Sequence, residues 1–111
     1  MKILAAASIA AAATLVVVIA PKPAAAGCHL IDCVENVRIT ASQVRNHSCE
    51  DLWILRNSIY KDAGYCFKTA RAINWFGNAG CRYDSMSAVP LSSIQRHNVG
   101  VLAAAERRRG C

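Results

Sequence analysis

The sequence predicts an all-α fold: a small disulfide-stabilised domain of about three helices. Three observations lead there. All six cysteines lie between positions 28 and 111 of a 111-residue chain, and an even count in a short exported chain reads as a disulfide framework. Two stretches, beginning at Ser48 and Ser92, carry apolar residues at helical spacing behind a Ser-x-x-Asp and a Ser-x-x-Gln opening. Glycines at 64, 77 and 110 stand where helices would stop. The length allows one small domain, which excludes a multidomain enzyme, a nucleotide-binding α/β domain and a polytopic membrane protein.

Residues 1–26 read as a secretory signal peptide. Lys2 supplies the positive start, Ile3 to Ala20 is an apolar run, and Pro21-Lys22-Pro23 leads into Ala24-Ala25-Ala26-Gly27. Cleavage is predicted after Ala26. The run approaches the length of a membrane anchor, but its alanine content makes it weakly hydrophobic. Ala25-Ala26-Gly27-Cys28 loosely resembles a lipobox without its leucine, and lipidation of Cys28 would leave five cysteines, an odd number. Removing 26 of the 111 residues leaves 85, and losing Lys2 and Lys22 lowers the net charge from +6 to +4.

Positions 27–47 are read as an irregular N-terminal extension, with Val34, Val37 and Ile39 compatible with one helical turn or an extended piece. The helical domain proper is placed at 48–111. Its first helix opens at Ser48, has Glu50 and Asp51 in its first turn, and continues through Leu52, Leu55 and Ile59 to Gly64. A shorter helix runs from Thr69 to Phe76. Residues 82–90 carry no clear element. The last helix begins at Ser92, presents Ile94, Asn98, Val101 and Ala105 on one face, and ends with Arg107, Arg108 and Arg109 before Gly110. Tyr65, Phe67, Trp75 and Phe76 are assigned to the core.

Cys28, Cys33, Cys49, Cys66, Cys81 and Cys111 allow fifteen pairings. The preferred set is Cys66–Cys81 and Cys49–Cys111, with Cys28–Cys33 as a local clip; only the parity follows directly from the residues. Zinc is not expected, because no two C-x-x-C pairs occur and His29, His47 and His97 are scattered.

The strings Cys49-Glu50-Asp51-Leu52-Trp53, Arg56-Asn57-Ser58-Ile59-Tyr60 and Gly64-Tyr65-Cys66-Phe67-Lys68-Thr69 resemble the YARHG domain of exported bacterial proteins. Phe76, Gly80-Cys81 and the closing Glu106-Arg107-Arg108-Arg109-Gly110-Cys111 look like a cysteine-bearing, single-domain branch of it. The resemblance implies an exported domain, often found beside peptidases or wall-binding parts. The name-giving Tyr-Ala-Arg-His-Gly string is here Tyr60-Lys61-Asp62-Ala63-Gly64, so an acid–base role for its histidine has no residue to carry it.

No catalytic motif is present among His29, His47, His97 and the carboxylates, and catalysis is not expected. Arg56 is the unusual residue. At about 100° per residue it falls about 40° from Leu52, inside the apolar arc. It must snorkel, tie together backbone carbonyls, pair with a carboxylate such as Glu106 or Asp84, or serve as an anion anchor flanked by Trp53 and Tyr60; a structural role, through carbonyls or a carboxylate, is the favoured reading. Asn57, at the arc's edge, either caps a neighbouring turn or contacts a ligand. The functional expectation is a non-catalytic, cofactor-free binding module, periplasmic or secreted. Its partner is peptidoglycan or another anionic envelope polymer, contacted by Trp53, Arg56, Asn57, Tyr60, Arg107, Arg108 and Arg109. Alternatives are an interaction domain for another exported protein, and a small hydrolase or an inhibitor of one. Nucleic acid and a lasting membrane anchor are not expected.

Overall fold

The computed structural model describes residues 8–17 and 34–111. Most of the segment read as a signal peptide, together with Cys28, His29, Cys33 and the proposed Cys28–Cys33 clip, lies outside the described residues. Residues 8–17 form no helix or strand.

Among the described residues four α-helices build the domain: α1 (Ala41–Val44), α2 (Cys49–Asp62), α3 (Ala70–Phe76) and α4 (Ser93–Arg109), with a 3₁₀ turn at Met86–Ala88. Among the described residues the only sheet-like pairing is an isolated bridge between Tyr65 and Tyr83. The helix starts follow the local chemistry. Ser48 accepts from the Asp51 amide, Thr69 from the Ala72 amide, and Ser92 and Gln95 cap each other reciprocally. At the far end of α4, Gly110 takes the left-handed conformation and its N–H closes on Arg107 and Glu106 carbonyls.

The long helices α2 and α4 pack against each other, α1 rests on α4, and α3 on α2. Their main core joins Leu52, Leu55 and Ile59 of α2 to Leu102 and Ala105 of α4, and adds Val34, Ile39 and Val44. The stretch expected as an irregular extension is therefore part of the domain from Val34 onward. It holds a fourth, one-turn helix, too short for spacing to reveal.

Two features of the cores correct the sequence reading. The buried line of α4 runs through Gln95, Asn98, Leu102 and Ala105, leaving Ile94 and Val101 half-buried at its flank. Leu102 sets that rotation, because it is fully enclosed in the core shared with α2. The second core gathers Tyr65, Phe67, Ala72 and Val89, with Trp53, Tyr60 and Phe76 against it. Trp75, assigned to the core, is instead 54% exposed. It follows Ala72 by three residues, but a seven-residue helix against one neighbour buries only a narrow stripe.

Disulfides Cys49–Cys111 and Cys66–Cys81 are both formed. The first ties the start of α2 to the chain's last residue, and the second closes the segment that carries α3. Among the described residues no helix is long and apolar enough to cross a membrane.

Candidate functional site

Arg56 projects from the middle of α2 towards α4, where Glu106 meets it. Its Nε donates to Glu106 Oε1 at 2.5 Å and its Nη2 to Oε2 at 3.2 Å, a parallel two-bond fork. Both side chains keep some solvent contact, 23% and 16% exposed. The cation inside the apolar arc is thus matched by a carboxylate fifty positions later in the chain. Asp84, the other partner considered, pairs with Lys68 at the surface.

The pair lies in a shallow depression of about 370 Å³ between α2 and α4, lined also by Tyr60, Val99, Ala103, Arg107 and Cys111. Because Arg56 and Glu106 neutralise each other, this surface is no simple anion anchor. It offers guanidinium donors and carboxylate acceptors side by side, next to a phenol ring. Such a set suits neutral polar groups that both donate and accept, with Arg107 adding one positive charge at the edge.

The remaining predicted residues go elsewhere. Asn57 is buried, and its amide donates to the Trp53 carbonyl at 2.9 Å within its own helix. Trp53 packs on Phe76 at 5.6 Å between ring centroids, and the Arg71 guanidinium covers its ring at 3.8 Å. Its indole face is thereby occupied. From Trp53 the aromatic contacts run through Phe76 and Phe67 to Tyr65 and Tyr60. That row fixes the angle between α2 and the segment carrying α3, and it sets the ring of Tyr60 at the border of the depression.

The three closing arginines separate. Arg107 joins the Arg56–Glu106 depression, while Arg108 and Arg109 line a second cleft with Arg45. Helical geometry accounts for this: at about 100° per residue, position 107 stands about 40° from Ala103, which also lines the depression, whereas 108 and 109 straddle the direction of Ala105. Arg45 and Arg71 escape the sequence reading, since each is a lone arginine outside any motif, and only the tertiary structure gives it neighbours.

The two histidines among the described residues, His47 and His97, have separate roles. His97 Nε2 lies 3.0 Å from the Ile39 carbonyl, a contact that holds backbone, and the His47 amide closes the turn after α1 on the Val44 carbonyl. Buried Asn98 binds the same N-terminal segment: its Oδ1 accepts from the Ile39 N–H, and its Nδ2 donates to the carbonyls of Val34 and Val37.

Two disulfides are the mark of a chain matured in an oxidising, extracytoplasmic space. A family model described as the YARHG domain matches residues 29–107, a span that takes in the N-terminal segment docked on Asn98. No curated protein and no solved structure matches the chain.

Proposed function

On the footing that this chain belongs to the YARHG domain family, whose model covers most of its length, we propose that it is a non-catalytic binding module of the cell envelope. Its ligand class is a polar envelope polymer, with the glycan of peptidoglycan first, and its place is the periplasm or the external medium. One observation carries this reading: the Arg56–Glu106 fork lies in the same depression as Tyr60 and Arg107. A sugar ring can rest against the phenol while its hydroxyls exchange hydrogen bonds with the guanidinium and carboxylate. Arg107 then meets the carboxylates of the wall's peptide stems. Trp53 and Asn57, committed to internal contacts, support this surface from behind and do not touch the ligand.

The test is co-sedimentation of the oxidised protein with purified peptidoglycan sacculi across a salt series. Binding that survives moderate salt and falls at least tenfold in Tyr60→Ala and in Arg56→Leu/Glu106→Leu supports the glycan contact. Binding that vanishes with salt and ignores both variants reduces it to nonspecific attraction. No sedimentation at low salt refutes it, and a protein partner becomes the working reading.

A further inference from the structure

A second cleft lies away from the Arg56–Glu106 depression, where α1, the start of α2 and the end of α4 converge. It holds about 550 Å³ and is lined by Ala41, Val44, Arg45, Leu52, Ala105, Arg108 and Arg109. Buried Val44, Leu52 and Ala105 lie beneath it, and exposed Ala41, Arg45, Arg108 and Arg109 form its rim. None of the described carboxylates lines it. Among the described residues Arg45, Arg108 and Arg109 are in no salt bridge, and all three are exposed.

Helix-end electrostatics explain part of this arrangement. Positive side chains in the last turn of α4 complement its dipole. That account needs nothing from Arg45, which caps the end of α1 and reaches the cleft from the other side of the chain. Bringing a third like charge beside two others is unfavourable in an empty site and favourable around an anion. The apolar wall adds a second requirement. Val44, Leu52 and Ala105 are closed off in the main core, so the apolar surface a ligand meets is that of Ala41 and the aliphatic stems of the three arginines.

From this convergence we infer that the cleft takes the phosphate headgroup of an anionic lipid, at a site separate from the one proposed for the glycan. The phosphate sits among Arg45, Arg108 and Arg109, whose planar donors reach a tetrahedral anion from different directions. The first carbons of the lipid lie on Ala41 and the arginine stems. A carboxylate or inorganic phosphate would satisfy the guanidiniums and leave that apolar wall bare. The inference leaves the glycan reading untouched, since the two clefts use different arginines of the same helical turn. Together they describe a module that faces wall and membrane at once.

The experiment is vesicle flotation of the oxidised protein, using phosphatidylglycerol in phosphatidylcholine against pure phosphatidylcholine. Arg45→Ala/Arg108→Ala/Arg109→Ala is compared with the charge-matched Arg38→Ala/Arg82→Ala/Arg96→Ala, whose positions are also exposed. One basic side chain near an anionic surface is worth about fivefold in partitioning. The cleft variant is expected to lose on the order of a hundredfold and the matched variant less than tenfold. Ala41→Glu, which places a carboxylate at the rim on an exposed first-turn position, is expected to repel the headgroup without unfolding the chain.

Equal losses in both triple variants would overturn the site in favour of diffuse attraction. Absence of any preference for phosphatidylglycerol would overturn it outright. Glycerol phosphate displacing the protein from vesicles at millimolar concentration would show that the anion alone is recognised, and would overturn the lipid assignment. Sacculus binding is measured on the same variants: its loss with Tyr60→Ala, while flotation persists, separates the two sites.

Discussion

The Ile39 amide donates to the Asn98 side chain at 2.9 Å, across 59 positions of sequence. The same carboxamide gives both its protons to backbone carbonyls, those of Val34 at 2.6 Å and Val37 at 2.8 Å. One fully buried side chain on α4 thereby supplies the hydrogen bonds that a neighbouring strand would otherwise give to residues 34–39. Val34 and Ile39 are carried into the core by that contact.

Asn98→Ala should therefore destabilise the domain by about 3 kcal/mol, because it strands one buried amide and two carbonyls at once. Urea denaturation measures the total, and amide exchange at Ile39 reports the local effect. A loss below about 0.5 kcal/mol would mean that solvent replaces the contact and that the segment docks without it.

Arg56 and Glu106 should behave as a coupled unit. Either single substitution to alanine leaves its partner half-buried without a counter-charge, while the double change removes both charges. A double-mutant cycle is expected to give a coupling of about 1–2 kcal/mol. Additive effects would show that the fork contributes no more than an exposed ion pair.

Two glycines should respond to alanine with opposite signs. Gly64 has φ +94°, and an added Cβ would meet the Tyr83 ring at 3.4 Å. Its carbonyl also accepts from the amides of Arg82 and Tyr83, so the turn cannot relax freely. Gly64→Ala is expected to cost about 1–2 kcal/mol. Gly100 sits inside α4, where an added methyl would find nothing within 4 Å, and Gly100→Ala should stabilise by about 0.5–1 kcal/mol. Thermal melts of the two variants decide this.

The disulfides should differ in weight. Cys49–Cys111 spans 62 positions and Cys66–Cys81 spans 15. In the chain-entropy model these closures are worth about 4 and about 3 kcal/mol. Cys49→Ser/Cys111→Ser should lower the denaturation midpoint more than Cys66→Ser/Cys81→Ser. It also frees the end of α4, so flotation onto anionic vesicles should weaken in that variant alone.

How far the residues by themselves reach can be judged element by element. Ser48, Thr69 and Ser92 mark the starts of three helices, and Gly77 and Gly110 mark two ends, because capping acts within three or four residues. The pairings Cys49–Cys111 and Cys66–Cys81 are the expected ones, and the family match bears out the resemblance to the YARHG domain. The one-turn α1 is not legible, having too few residues for a period. Trp75 defeats the sequence reading because aromatic character says nothing about which side of a short helix meets a neighbour.

The amino-acid sequence by itself determined an all-helical, disulfide-held domain and singled out Arg56 as a charge in the wrong arc. Only the tertiary structure decided that Glu106 answers it, that Asn98 rather than a strand satisfies residues 34–39, and that Arg45 joins Arg108 and Arg109. The physical reason is range. Caps, glycine stops and helical spacing are set by neighbours a turn away, whereas these partners stand 50 or more positions apart and meet only when α2 closes on α4.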